Sequence, residues 1–464
     1  MKAQLMLLPA LALSACNMAP KYVRPDAPVP PSLPQGAAYP LLADTDSAAD
    51  KLGWREFFTD PRLQQVIARA LTDNRDLRVA LANVERARAL YRVDRAALVP
   101  AIGASGSASE TRASAGRVTD SFSAQAGVSA YEIDLFGRLR NQSASSFQSY
   151  LSTDEGRKST QIALVAEVAS AWLTYAATSD ALRIAEETLA SRQQTLSVNV
   201  RREANGIGTK LDVATATTAL NSAQAAVADY KTSLAQARNA LDLLVGGAVA
   251  DDLLPSTLGD GGQMRSALPV GLSSAVLLRR PDVLAAEHDL RAAYADIGVA
   301  RAAFFPTISL TGLLGFASGS LSSLFDSGSF QKTGSAGLSQ TIFDAGATAN
   351  NLNAAKAARE AALATYEKAI QTAFREVADA LARRGTIDTS IAAQVSLEAN
   401  AATALRLSQS RYDAGIANYL EPLDAQRTLY TARQSLVSAR LTKAANMVEL
   451  YRALGGGLLE TSAD

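Results

Sequence analysis

The chain of 464 residues holds one cysteine, Cys16, and one histidine, His288. A single cysteine excludes an intramolecular disulfide. His288 lies on a helical stretch between Glu287 and Asp289, a surface or packing position with no second ligand near it in sequence. Five methionines and one histidine give no metal-relay pattern. Charge is balanced, with 45 basic and 45 acidic residues, so nothing electrostatic favours nucleic acid as a partner. Aromatic residues make up only 6% although hydrophobic residues reach 48%, and alanine supplies much of the difference. That composition suits close-packed helices better than a bulky globular core. Gly455-Gly456-Gly457 lacks the Lys-Ser/Thr pair and the strand–helix setting of a phosphate loop. No enzyme activity, cofactor or metal site is therefore expected.

What the chain has is helix. From Ala347 to Asp413 there is no proline and one glycine, Gly385, and a second run reaches Leu454. Between them Gly415 suits a left-handed helix end, and Glu421-Pro422 suits a first helical turn. The chain climbs one long helix, turns and comes back. The same device stands upstream at Arg201 to Val213. One fixed offset pairs Gly206 with Gly415, Leu211 with Leu420, Asp212 with Glu421, Ala216 with Ala425, Leu220 with Leu429 and Gly246 with Gly455. A slightly smaller offset pairs Arg95–Ile102 with Arg301–Ile308. One supersecondary unit is thus duplicated. The expected layout is a first repeat over 60–246, an equatorial link over 247–272, a second repeat over 273–454 and a tail over 455–464. The first repeat holds a helix from Asp60-Pro61 to about Leu98, a β-hairpin at 102–136, a long helix Arg138–Ala204, a tip at 205–210 and a return helix Lys210–Val245. The second holds a helix Pro281–Phe304, a β-hairpin at 306–343, a long helix Ala347–Asp413, a tip at 414–419 and a return helix Leu420–Leu454. Each long helix, about 100 Å at 1.5 Å per residue, should be flanked by a stack of its two shorter ones.

The hairpins alternate in polarity. Phe122, Ala124, Ala126 and Val128 interleave with Ser121, Ser123, Gln125 and Gly127, and the apolar parity switches at Tyr131, Ile133 and Leu135. In the second copy Ile308, Leu310, Gly312, Leu314 and Phe316 interleave with Thr307, Ser309 and Thr311. A period of two with one apolar face marks an amphipathic strand. Glu110–Asp120 and Ser318–Lys332 read as polar stretches between strands. Each chain then offers four strands. These cannot close a membrane barrel alone, because open edges are costly in lipid and barrels have at least about eight strands. A symmetric oligomer must close it; three copies give twelve strands, four give sixteen, and the pattern permits either.

At the N-terminus, Lys2 precedes an apolar run, Leu5–Leu13, too short to span a bilayer, so residues 1–15 read as a secretory signal. Leu13-Ser14-Ala15-Cys16 resembles the bacterial lipobox, which implies acylation of Cys16. Asn17 after it implies sorting to the outer membrane. An ordinary signal peptide with a chance cysteine is the alternative. Seven prolines from Pro20 to Pro40 predict an extended tether within a lipid-anchored segment, 16–59.

Longer motifs carry a wider resemblance. Leu268 to Glu287, with Arg279-Arg280-Pro281-Asp282-Val283 inside it, resembles a signature of the TolC-type outer membrane efflux family, in its OprM/NodT-like lipoprotein branch. Tyr131-Glu132-Ile133-Asp134-Leu135-Phe136-Gly137-Arg138 and Arg411 to Gln426 are similar to the same family, and the similarity covers nearly the whole chain. Tyr131 stands where the family usually has Trp, Thr341 where Pro is common, and Gly53 precedes Trp54 where Trp-Trp is common. The resemblance implies a mainly α protein with membrane β: a trimeric channel-tunnel with a 12-stranded β-barrel and a periplasmic α-barrel. It implies the outer-membrane exit duct of a tripartite pump in a Gram-negative bacterium. The homotrimer would meet a periplasmic adaptor and an inner-membrane transporter of RND type, and would pass small toxic compounds passively.

The resemblance also places Leu420 and Asp424 at a periplasmic constriction. Four residues apart on a helix, they share one face, so three copies would form an apolar ring and a ring of carboxylates. Arg411, Tyr412 and Arg202 lie close to the two turns in sequence and are the expected supports of that gate. Gly206, Gly208, Thr209, Gly415, Ile416 and Ala417 are expected on the adaptor-docking tips. Glu132, Asp134 and Asp344, near hairpin ends, read as structural. Other readings stand beside these: Leu420 as ordinary packing with Asp424 as a first-turn carboxylate, a duct for protein secretion, or a non-conducting lipid-anchored helical scaffold.

Overall fold

The computed structural model describes residues 17–42, 49–114, 116–259, 262–265, 268–271 and 273–461. Cys16 and the signal segment lie outside them. Seven long helices and four strands are named here: α1 Pro61–Asp73, α2 Arg75–Ala96, β1 Ile102–Arg112, β2 Val118–Ile133, α3 Arg138–Ala204, α4 Lys210–Val245, α5 Pro281–Ala302, β3 Thr307–Ser318, β4 Phe330–Ser339, α6 Ala347–Asp413 and α7 Leu420–Ala453. Helices α3 and α6 each have 67 residues.

The single helix expected over 60–98 is two helices, α1 and α2, broken at Asn74. Asn74 has an extended ψ of 134°. Its Oδ1 accepts from the Leu77 amide at 2.8 Å, capping α2, while its Nδ2 donates to the Leu244 carbonyl at the end of α4 at 2.8 Å. An asparagine that caps one helix and satisfies an orphan carbonyl of another favours the break over helix propensity. The second copy reaches a similar end by different chemistry. There the Arg280 guanidinium donates to the Ala453 carbonyl at the end of α7 (2.7 Å) and also pairs with Asp282 and Glu376.

Two compact units emerge. Of the described residues, the first takes 17–26, 82–155 and 284–368; the second takes those within 27–81, 156–283 and 369–461.

The first unit holds one antiparallel sheet in the order β1-β2-β3-β4. The polar stretch Glu110–Asp120 is largely strand, with Ser109 paired to Ser121 and Thr111 to Thr119 across a short turn. Likewise β4 begins at Phe330, earlier than the alternation suggested, and ends at Ser339 rather than Phe343. Backbone pairing continues where most side chains are polar, because the ladder does not depend on an apolar face. The parity switch at Tyr131 is a β-bulge. Val128 pairs with Gly312 and Tyr131 with Leu310, so two residues oppose one. Ala130 takes a positive φ of 54°, and its amide donates to the Thr311 hydroxyl at 3.0 Å. The extra residue returns Tyr131 and Ile133 to the apolar face that Phe122 to Val128 already occupy. Beside the bulge, Gly127 has φ 152°, and a Cβ there would lie 2.1 Å from the Gly312 carbonyl oxygen. Only glycine permits that approach.

Residues 17–26 are pinned within this unit. The Arg301 guanidinium donates to the Met18 carbonyl at 3.1 Å. Tyr22 and Arg24 both donate to the buried Glu287, and the Tyr22 ring meets Tyr294 edge-on with centroids 5.5 Å apart. The second unit holds 27–42 in the same way. Ser32 bridges Ser273, the Ser274 amide donates to the Pro31 carbonyl, and Leu33 is buried. The stretch expected as a tether is a strap fastened to the helices. The second unit's core joins Trp54, Phe57 and Phe58 to Trp172 of α3, Leu241 of α4 and Tyr451 of α7. The Tyr451 ring stacks on Phe57 at 4.1 Å.

Candidate functional site

The two tips lie in the second unit and are built alike. At the end of α3 the Ile207 and Gly208 amides donate to the Arg202 carbonyl at 2.9 and 3.0 Å, and Gly206 has φ 77°. At the end of α6 the Ile416 amide donates to the Arg411 carbonyl at 3.1 Å, and Gly415 has φ 75°. These are glycine-terminated helix ends that satisfy the last carbonyls. The returns differ. Thr209 caps α4 in a reciprocal box with Asp212, whereas at α7 the Asn418 Oδ1 takes the Leu420 amide at 3.1 Å.

The expected gate residues fall into distinct roles. Leu420 is 60% exposed and Asp424 is exposed one turn further along α7. Asp424 lines a cleft of about 710 Å³ with Arg411, Ile416, Glu421 and Leu407. Arg411 pairs with Glu421 of its own turn at 3.0 Å. Arg202 reaches from the first tip to the second, with its guanidinium 4.9 Å from the centre of the Tyr412 ring. Tyr412 is buried and donates its hydroxyl to Asn199 Oδ1 of α3 at 2.7 Å. Burial pushes the Tyr412 hydroxyl above its usual proton affinity, so it stays a donor. Tyr412 and Tyr419 pack with Leu423, Ala216 and Ala219, which binds the two hairpins together within one chain. Of the tip residues, Gly206, Thr209, Gly415 and Ile416 are exposed, and Gly208 and Ala417 half-buried.

Asn199 and Tyr419 were not singled out from the sequence. The duplication carried a signal for the first: the same offset that pairs Gly206 with Gly415 pairs Asn199 with Ser408, and both polar residues are buried. The hairpin-end acids have local partners. Glu132 accepts from Arg138, Asp134 from Arg140, and Asp344 from the Gly346 and Thr348 amides. His288 Nδ1 lies 2.7 Å from Gln148 Oε1. Among the described residues no cluster of three or more His, Cys, Asp or Glu stands together as a metal site.

A mainly helical chain, duplicated, with an amphipathic antiparallel sheet in one unit and paired helical tips in the other, has the architecture of an outer-membrane channel. The sequence model of the outer membrane efflux protein family matches residues 66–247 and 272–456, one stretch for each repeat. The toluene efflux pump outer membrane protein TtgC of Pseudomonas putida is 42% identical over 97% of this chain and 94% of its own length. The outer membrane protein OprJ of Pseudomonas aeruginosa is 40% identical over 97% and 95%. The open state of the Neisseria gonorrhoeae MtrE outer membrane channel superposes with a TM-score of 0.87 at 37% identity, covering 97% of this chain and all of that one. The chain belongs to the outer membrane efflux protein family. It serves as the outer-membrane exit duct of an efflux pump.

Proposed function

We propose that three copies of this chain close one barrel of twelve strands, and that their helical tips form the periplasmic gate of the duct. The sheet carries this reading. Strands β1 and β4 end the pairing order, and Ile102, Leu310, Leu314 and Leu338 stand exposed on the apolar face. Pairing β1 of one copy with β4 of the next removes both edges, as a membrane barrel requires. In that assembly Leu420 and Asp424 of three copies surround one axis, as an apolar ring that resists wetting and a ring of carboxylates that favours cations. Arg202 and Tyr412 hold each pair of hairpins in register behind the ring, and Arg411 braces its own turn through Glu421. The exposed glycine turns are the rim that meets a periplasmic adaptor and, through it, an inner-membrane transporter of RND type. Acylated Cys16 anchors the strap in the outer membrane. The duct passes cargo without a chemical step, and the toluene in the relative's name points to small apolar compounds as one class.

Conductance in a planar bilayer tests the reading. The parent protein should conduct. Leu420→Ser with Asp424→Ala should raise single-channel conductance, and Asp424→Ala alone should lower cation preference. Parent-like currents from both variants, with oligomer yield unchanged, would place the constriction elsewhere. A parent that never conducts would favour the scaffold reading.

A further inference from the structure

A cavity of about 330 Å³ lies between α3, α4 and α7, with Arg192, Arg427 and Ser222 on its surface and Ala219, Ala223 and Ala226 along one wall. Arg192 is only 5% exposed. Its guanidinium donates to Gln426 Oε1 and lies beside the Tyr419 hydroxyl. Among the described residues no carboxylate forms an ion pair with it; besides Gln426 its polar neighbours are the Tyr419 hydroxyl and a second cation, Arg427. The Tyr419 hydroxyl is itself buried without a well-formed hydrogen bond. A buried cation is ordinarily paired, because its lost hydration must be replaced.

The duplication shows that helix packing does not demand this arginine. The offset that aligns the two tips aligns Arg192 with Ala401, which is buried against Leu429 and Ala432 in the second copy. It aligns Arg427 with Thr218. Neither cation has a counterpart in the other copy, and both line one cavity.

We infer that this cavity binds a small organic carboxylate. The two guanidiniums take the carboxylate oxygens as charge-assisted donors, and the alanine wall takes an apolar body. A bare inorganic anion would leave that wall against empty space. The site goes beyond the duct reading, since it needs neither the barrel nor the gate. It does touch the tip: Arg192, which lines it, donates to Gln426, two residues past Asp424 on α7.

Benzoate is the probe, titrated calorimetrically into the detergent-purified full chain, with benzamide as its uncharged counterpart. Benzoate should bind saturably and benzamide should not. Arg427→Gln changes an exposed residue, and should weaken benzoate by about tenfold or more. Arg192→Gln should do the same, and Ser222→Leu should block entry. In crystals grown with 4-bromobenzoate the bromine should lie against Ala219 and Ala223. Equal binding of benzamide, parent-like affinity in Arg427→Gln, absence of saturable binding by the parent, or bromine located elsewhere would each overturn the assignment.

Discussion

At the scale of single residues, the strap turns on Glu287. It is 2% exposed and accepts from Tyr22, Arg24 and Arg291. Burial alone would raise its proton affinity. The hydrogen bonds from Arg291, Tyr22 and Arg24 outweigh that and hold the carboxyl below its usual range. A carboxyl depressed in the folded state stabilises it above the unfolded value, about pH 4.3, and that stabilisation is lost as pH falls through the folded value. The thermal unfolding midpoint of the parent should therefore drop on acidification below about pH 4. Glu287→Gln should start lower at neutral pH and fall less over the same range. A variant whose midpoint tracks the parent at every pH would remove Glu287 from this role. Glu287 was legible as a residue of the family motif. Its partners, more than 260 positions away at Tyr22 and Arg24, were not.

At the scale of elements, the boundaries came from local chemistry and the breaks did not. The ends of α3 and α6 are marked by glycine and cap residues, so they could be read from neighbours in the chain. Asn74 breaks a helix that propensity alone continues, because the end of α4 supplies a carbonyl for its side chain. The bulge at Ala130 was visible as a parity switch, but only the register of β2 on β3 identifies it as the device that keeps one apolar face continuous. Gly127 tests this. Gly127→Ala forces a Cβ into the Gly312 carbonyl, so heat-resistant oligomer should be largely lost on a gel. Gly103→Ala, where a Cβ meets nothing within 4 Å, should leave it intact. Equal oligomer yields would mean the sheet shifts to accept the methyl.

At the scale of the whole molecule, the sheet must find its own copies. Strand β1 should pair with β4 of a neighbour, so a chain carrying Ser105→Cys and Ser335→Cys should cross-link copy to copy. The ladder should end at three. A ladder that stops at two or continues to four would reject twelve strands. Anchoring is separable from closure, since the barrel has membrane affinity of its own. Cys16→Ala should abolish acyl labelling while inserted oligomer remains, and normal labelling of that variant would refute the lipobox reading.

The sequence by itself determined the helical class, the duplication, the long helix ends and the amphipathic strands. Each of these is written in spacing along the chain: a period, an offset, a glycine after a run, a capping residue before one. Only the tertiary structure decided which polar side chains meet. Tyr412 on Asn199, the strap on Glu287 and Arg192 beside Arg427 join residues hundreds of positions apart. Such contacts leave no periodic trace, because a buried polar group is satisfied by whatever donor or acceptor the packing brings to it.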